Sequence, residues 1–117
     1  MKDYYITRGE GRTALTLDAR SFGEGLIVAI YNENQHIGAV AVGEYDHTEQ
    51  RASTSVITRP GHKDDAIAQP AAHLISKHTR KPSCVIAGVH LDNISAEEIQ
   101  QCLANADLLV EDFLKSL

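Results

Sequence analysis

The hydrophobic pattern of this chain changes period at Pro60-Gly61, and that break governs the folds open to it. Upstream, apolar residues recur at alternate positions or in short solid runs. Arg12 to Ala19 alternates, with Thr13, Leu15, Leu17 and Ala19 on one face. Gly9-Glu10-Gly11 before it is a turn that pairs this strand with Tyr4 to Arg8 as a hairpin. Leu26 to Tyr31 is apolar on both faces, as a central strand covered on both sides would be. Asn32 to Gln35 supplies a turn, Ile37 to Val42 a strand, residues 44–52 a polar loop, and Ser53 to Thr58 a further strand.

Downstream the period becomes helical. Ile67, Ala71, Leu74, Ile75 and His78 recur at three and four behind Asp64 or Asp65 as N-cap, and Pro70 inside the stretch predicts a kinked or divided helix. Cys84 to Leu91 reads as a buried strand. Ser95-Ala96-Glu97-Glu98 then forms a capping box, with Ile94 and Ile99 as its hydrophobic staple. Ile99, Cys102, Leu103, Ala106, Val110, Phe113 and Leu117 make one apolar stripe. Strands and helices are segregated instead of alternating throughout. The expected fold is therefore α+β: an antiparallel or mixed sheet of five to six strands with two helices mainly on one face, in the order strands, helix, strand, helix. One domain over residues 1–117 is expected, because a chain of this length buries roughly two-thirds of its unfolded surface and needs no staples.

Charge and composition remove several function classes. Eleven basic against 16 acidic side chains give a formal charge of −5, which argues against a sequence-independent grip on nucleic acid. With no Trp, two Phe and four Tyr, a base-stacking platform is also missing. The longest apolar run, Leu26 to Tyr31, is too short to cross a bilayer, and Met1-Lys2-Asp3-Tyr4 opens no signal-peptide core, so no membrane association and a cytoplasmic location are expected. Cys84 and Cys102 read as small buried hydrophobes and not as a disulfide. Six histidines in so small a domain are the unusual feature.

Three stretches combine glycine, histidine and small residues at strand ends: His36 to Val40, Arg59 to Asp65, and Ala87 to Asn93. In the second, Gly61 permits a tight turn, the following helix offers amides and the positive end of its dipole, and Arg59, His62 and Lys63 add cationic donors, so a phosphate could dock there. The competing reading is a turn and an acidic cap, since Asp64 and Asp65 already complement the dipole. His36, His62 and His90 would form a metal site or proton-transfer pair if their strands were neighbours, but no zinc spacing is present and no metal is expected. No nucleophile elbow surrounds Ser53, Ser55 or Cys84, and no catalytic residue is assigned. His62 or His90 could act as acid-base on an anionic substrate with Asp64 or Asp92 orienting it. His47, His73 and His78 are expected to face solvent or to pack.

His36-Ile37-Gly38-Ala39-Val40-Ala41, Pro60-Gly61-His62-Lys63-Asp64-Asp65 and Ala87-Gly88-Val89-His90-Leu91-Asp92-Asn93-Ile94, followed by Glu98-Ile99, together resemble the LpdD-like prenylated flavin chaperones over nearly the whole chain. The resemblance implies the fold of bacterial relatives of proteasome assembly chaperones. It also implies a non-catalytic role: binding prenylated flavin mononucleotide, or flavin mononucleotide itself, and delivering it to a UbiD-type decarboxylase subunit. On that reading His36, Gly38, Arg59, Gly61, His62, Lys63, Gly88, His90 and Asp92 form the cofactor site, with Gly61 to Lys63 at the phosphate and small residues giving a flat ring close approach. The aromatics near such a pocket are Tyr31 or Tyr45. A homo-oligomer is expected from an exposed sheet edge. The alternatives are a small enzyme using His62 or His90, and a protein-assembly chaperone with no small-molecule ligand.

Overall fold

The computed structural model describes residues 3–117. Six strands, β1 (Tyr4–Arg8), β2 (Leu15–Phe22), β3 (Gly25–Tyr31), β4 (Ala39–Asp46), β5 (Arg51–Thr58) and β6 (Ser83–Gly88), form one sheet in the order β1-β2-β3-β6-β4-β5. The helices are α1 (Asp65–Thr79) and α2 (Ala96–Lys115), and a short 3-10 turn at Gly11–Thr13 joins β1 to β2. The sheet is mixed: β3 and β6 run parallel, and the other neighbouring pairs are antiparallel. The order strands, helix, strand, helix is the one read from the change of period.

Both helices lie on one face of the sheet. Leu15, Leu17, Ala19, Val28, Ile30, Ala39, Ala41, Val85 and Ala87 point beneath them and are wholly buried, as alternation along a strand requires. Ile67, Ala71 and Ile75 of α1, and Cys102, Ala106, Leu109, Val110 and Phe113 of α2, complete the core. α1 sits very close to β4 at Gly43, where a Cβ would meet the Ala72 carbonyl at 2.5 Å; the Ser76 and Ser83 hydroxyls share a hydrogen bond of 2.8 Å beside it.

Several local expectations are corrected by this packing. β3 is covered on one face only, and its Ile27, Ala29 and Tyr31 are half-buried on the open face. The polar residues Glu44 to Asp46 and Arg51 to Ala52 extend β4 and β5, leaving only residues 47–50 as the turn, because an edge hairpin can carry polar side chains on its solvated face. α1 runs unbroken through Pro70; the amide that Pro70 lacks would have bonded the carbonyl of Ala66, and both residues are exposed, so water can take that carbonyl. Leu74 and His78 face solvent, and Ala68, Ala72 and Ser76 take the inner face instead. β6 ends at Gly88, short of Leu91, and Cys84 is half-buried on the open sheet face, unlike the buried Cys102.

α2 starts as its sequence requires. Ser95 Oγ accepts from the Glu98 amide at 3.1 Å, and the Glu98 carboxylate accepts from the Ser95 amide at 3.0 Å. Arg12 donates to Glu98 and to the Asp92 carbonyl, tying the segment before α2 to the 3-10 turn. These bonds hold the Glu98 carboxyl below its usual range, the Ser95 amide first and Arg12 second. No described helix is long and apolar enough to cross a membrane.

Candidate functional site

Topology brings the three glycine- and histidine-bearing stretches to one end of the sheet. Parallel pairing sets Tyr31 at the end of β3 beside Gly88 at the end of β6, while Ala39 at the start of β4 pairs with both Ala87 of β6 and Thr58 of β5. The segments 32–38, 59–64 and 89–95 therefore leave the same edge together. Asn32, 4% exposed, fastens two of them: its Oδ1 accepts from the amides of Asn34 and His90, and its Nδ2 donates to the His90 carbonyl at 2.8 Å.

At the centre His36 Nε2 lies 3.2 Å from His62 Nδ1 and 3.4 Å from Asp64 Oδ2, and His62 Nδ1 lies 3.7 Å from the same oxygen. The His90 ring stands edge-on to His36 at 6.4 Å between centroids, and its Nε2 pairs with Asp92 at 3.0 Å in the open. Asp64 is 5% exposed and precedes α1, yet its side chain caps nothing. It turns instead toward the histidines, and its Oδ1 accepts from the Val89 amide at 3.0 Å. From the sequence Asp64 is a cap or an orienting group, and nothing local to it signals its place at the centre of the cluster.

Two glycines make this convergence possible. A Cβ on Gly38 would fall 1.7 Å from Asp64 Oδ2, and one on Gly88 would fall 1.6 Å from the His36 carbonyl oxygen. The space read as room for a flat ring is thus filled by the protein's own carboxylate and backbone. Arg59 is also turned away: its Nη1 donates to the Ile37 carbonyl at 2.9 Å. Gly61, at φ +80°, has open space where its side chain would be. The amides of Ala66, Ile67 and Ala68 bond the Lys63 and Asp64 carbonyls, so the first turn of α1 consumes donors that the anion reading assigned to a phosphate.

Beside the cluster a cleft of about 430 Å³ opens between the start of α1, the segment after β6 and the first turns of α2. Val89, Leu91, Ile94, Ile99 and Leu103 form its apolar wall, and Gly61, His62, Lys63, Asp64 and His90 line its polar side. The staple residues Ile94 and Ile99 are 39% and 42% exposed because they face this cleft. Cys102 also lines it, but burial, helped by Glu98, raises its thiol above the ordinary value of 9.0, which makes it a poor nucleophile at neutral pH. His36, Ile37 and Gly88 line a different hollow, on the open face of the sheet, together with Tyr31 and Asp18. Tyr31 stands there with its phenol raised by burial and then by a hydrogen bond to Tyr5, whereas Tyr45 lies at the other end of β4 under Arg80 and beside His47. Of the nine residues read from sequence, Gly61, His62, Lys63 and His90 share the cleft.

The chain matches the family described as prenylated flavin chaperone LpdD-like domain over residues 9–117. It belongs to that family. The LpdD-like chain is also similar in structure to a chain from the crystal structure of a novel chaperone complex for yeast 20S proteasome assembly. That likeness has a TM-score of 0.60 at 18% identity, covering 98% of this chain and 94% of the other. At such low identity it establishes the shared fold. No curated protein matches the LpdD-like chain.

Proposed function

We propose that this protein binds prenylated flavin mononucleotide without transforming it and delivers it to a UbiD-type decarboxylase subunit. The observation that carries the reading is the cleft: its volume of about 430 Å³ lies within the roughly 300–1,000 Å³ of small-molecule sites, and it pairs a long apolar wall with a polar mouth that carries Lys63, His62 and His90 beside the Asp64 carboxylate. A prenylated isoalloxazine is a broad apolar plate joined to a ribityl phosphate, and the two halves of the cleft fit its two halves. Ile94, Ile99 and Leu103 would cover the ring system, while Lys63, His62 and His90 would take the phosphate. The bound group supplies the chemistry of the decarboxylase; the role of this chain is to hold and shield it.

Titration of the full chain with reduced prenylated flavin mononucleotide, followed by ultraviolet-visible absorption, is expected to give a saturable complex that turns over no aromatic acid. Absence of a complex would end the carrier reading. Turnover would favour an enzyme using His62 or His90. Stable association with a decarboxylase subunit in the absence of flavin would favour an assembly chaperone.

The same reading includes a homo-oligomer. The uncovered sheet face presents Ile27, Val40 and Ile86, half-buried side chains that a second copy stacked on that face would cover. Sedimentation of I86D is expected to show a smaller particle than the wild-type chain, and an unchanged particle speaks against that face.

A further inference from the structure

We propose that His36 Nε2, His62 Nδ1 and Asp64 Oδ2 are the protein ligands of a divalent transition-metal site of the zinc class. The three atoms face one another with separations of 3.2, 3.4 and 3.7 Å. A point equidistant from all three in their plane lies about 2.0 Å from each, which is the length of a zinc bond to imidazole nitrogen or carboxylate oxygen. Two imidazoles and one carboxylate are a ligand set suited to zinc, iron or cobalt, and not to magnesium or calcium, which take all-oxygen shells.

The surroundings orient the ligands as outer partners of a metal do. His36 Nδ1 lies 2.9 Å from the Asn34 carbonyl, which can only accept, so Nδ1 carries the proton and Nε2 presents a bare lone pair to the cluster. Asp64 spends Oδ1 on the Val89 amide and leaves Oδ2 facing the two rings. His62 Nδ1 completes the trio, 3.2 Å from His36 Nε2 and 3.7 Å from Asp64 Oδ2, and the tautomer of His62 with its proton on Nε2 presents a second bare lone pair there. A carboxylate buried to 5% exposure with so little direct donation is costly, and a dication between the three atoms removes that cost. Gly38 supplies the closeness: its missing Cβ is what lets Oδ2 reach the position. His62 and Asp64 also line the cleft, so a molecule held there lies beside the metal; the metal site itself does not depend on a flavin being bound.

The test uses the full chain, stripped of metal by a chelator and dialysed free of it. Zn2+ is titrated against a chromophoric competitor, and Co2+ is followed by its d–d absorption. One tight equivalent per chain is expected, with Co2+ band intensities of a four- or five-coordinate ion. H36A and H62Q are expected to bind at least about 100-fold more weakly, since loss of an outer-shell partner alone costs roughly 10–100-fold. H73A/H78A, altered at two exposed positions of α1, keeps the wild-type affinity. Zn2+ raises the thermal midpoint of the wild-type chain and not that of H62Q; His62 lies in a surface segment, so that variant retains its metal-free midpoint even if H36A fails to fold. Equal affinity in wild type and H62Q, a comparable loss in H73A/H78A, or weak octahedral Co2+ bands would overturn the proposal.

Discussion

Replacing Gly38 by alanine tests the account of how the cluster is held together. The added Cβ would stand 1.7 Å from Asp64 Oδ2, 2.5 Å from its Cγ and 3.0 Å from its Cβ, so the carboxylate must leave its place. Overpacking of a core costs about 1–3 kcal/mol. Displacing Asp64 also breaks its charged bond to the Val89 amide, worth about 1.5–3 kcal/mol. Together these give about 2.5–6 kcal/mol, which for a chain of this size lowers the thermal midpoint by about 10 °C or more. The cause can be isolated by a double-mutant cycle in urea. D64A alone is destabilising, because it leaves the Val89 amide unpaired, but in G38A/D64A the two atoms nearest the new Cβ are gone and the remaining contact is the one at 3.0 Å. The pair is expected to be more stable than the sum of its singles by about 2 kcal/mol, with an unchanged dependence on urea. Additivity within about 0.5 kcal/mol, or a G38A chain within about 1 kcal/mol of wild type, would refute the reasoning. G61A is the control for backbone strain: no atom lies within 4 Å of its Cβ, and its positive φ alone costs about 1–2 kcal/mol.

Other perturbations follow from the same contacts. S95A removes the hydroxyl that caps α2 and is expected to cost about 1 kcal/mol in chemical denaturation. Glu98 has a folded pKa below the ordinary 4.5, so its contribution to stability is fully present above that value and is lost as pH falls through the folded pKa. The acid limb of the stability profile should therefore be shallower in E98Q, and an identical limb would contradict the assigned bonds. Phe113 is wholly buried with its ring 5.2 Å from that of Tyr4, so F113A should lose about 3–5 kcal/mol by urea denaturation. K63E should weaken flavin mononucleotide binding by about fivefold, or about 1 kcal/mol, while leaving riboflavin affinity unchanged in fluorescence titrations; an equal effect on both would move the phosphate away from Lys63.

The elements were largely legible because each rests on local periodicity and turn chemistry. Leu15, Leu17 and Ala19 alternate into the core as written, and the box at Ser95 and Glu98 begins α2 where two side chains can satisfy two backbone amides. The errors came where a side chain's surroundings outweigh its type. The apolar outer positions of β3 suggested cover on both faces, but nothing along a strand records whether a second layer exists. Pro70 suggested a break, but its cost depends on whether the carbonyl of Ala66 meets water.

The site divides in the same way. Sequence by itself determined which residues were available: histidines and glycines at strand ends, the capping box before α2, and an acidic chain whose attraction for an anion has to be local. It could not bring them together. β6 enters the sheet between β3 and β4, after an excursion through β5 and α1, and that insertion sets the ends of β3, β5 and β6 at one edge. Asp64 reaches His36 and His62 only because Gly38 leaves room for its carboxylate and Gly88 lets the His36 backbone lie against the end of β6, and Arg59 turns away because the Ile37 carbonyl lies within its reach. Contacts between residues distant in the chain are fixed by sheet order and by the space left between backbones, and neither quantity is written in any one segment.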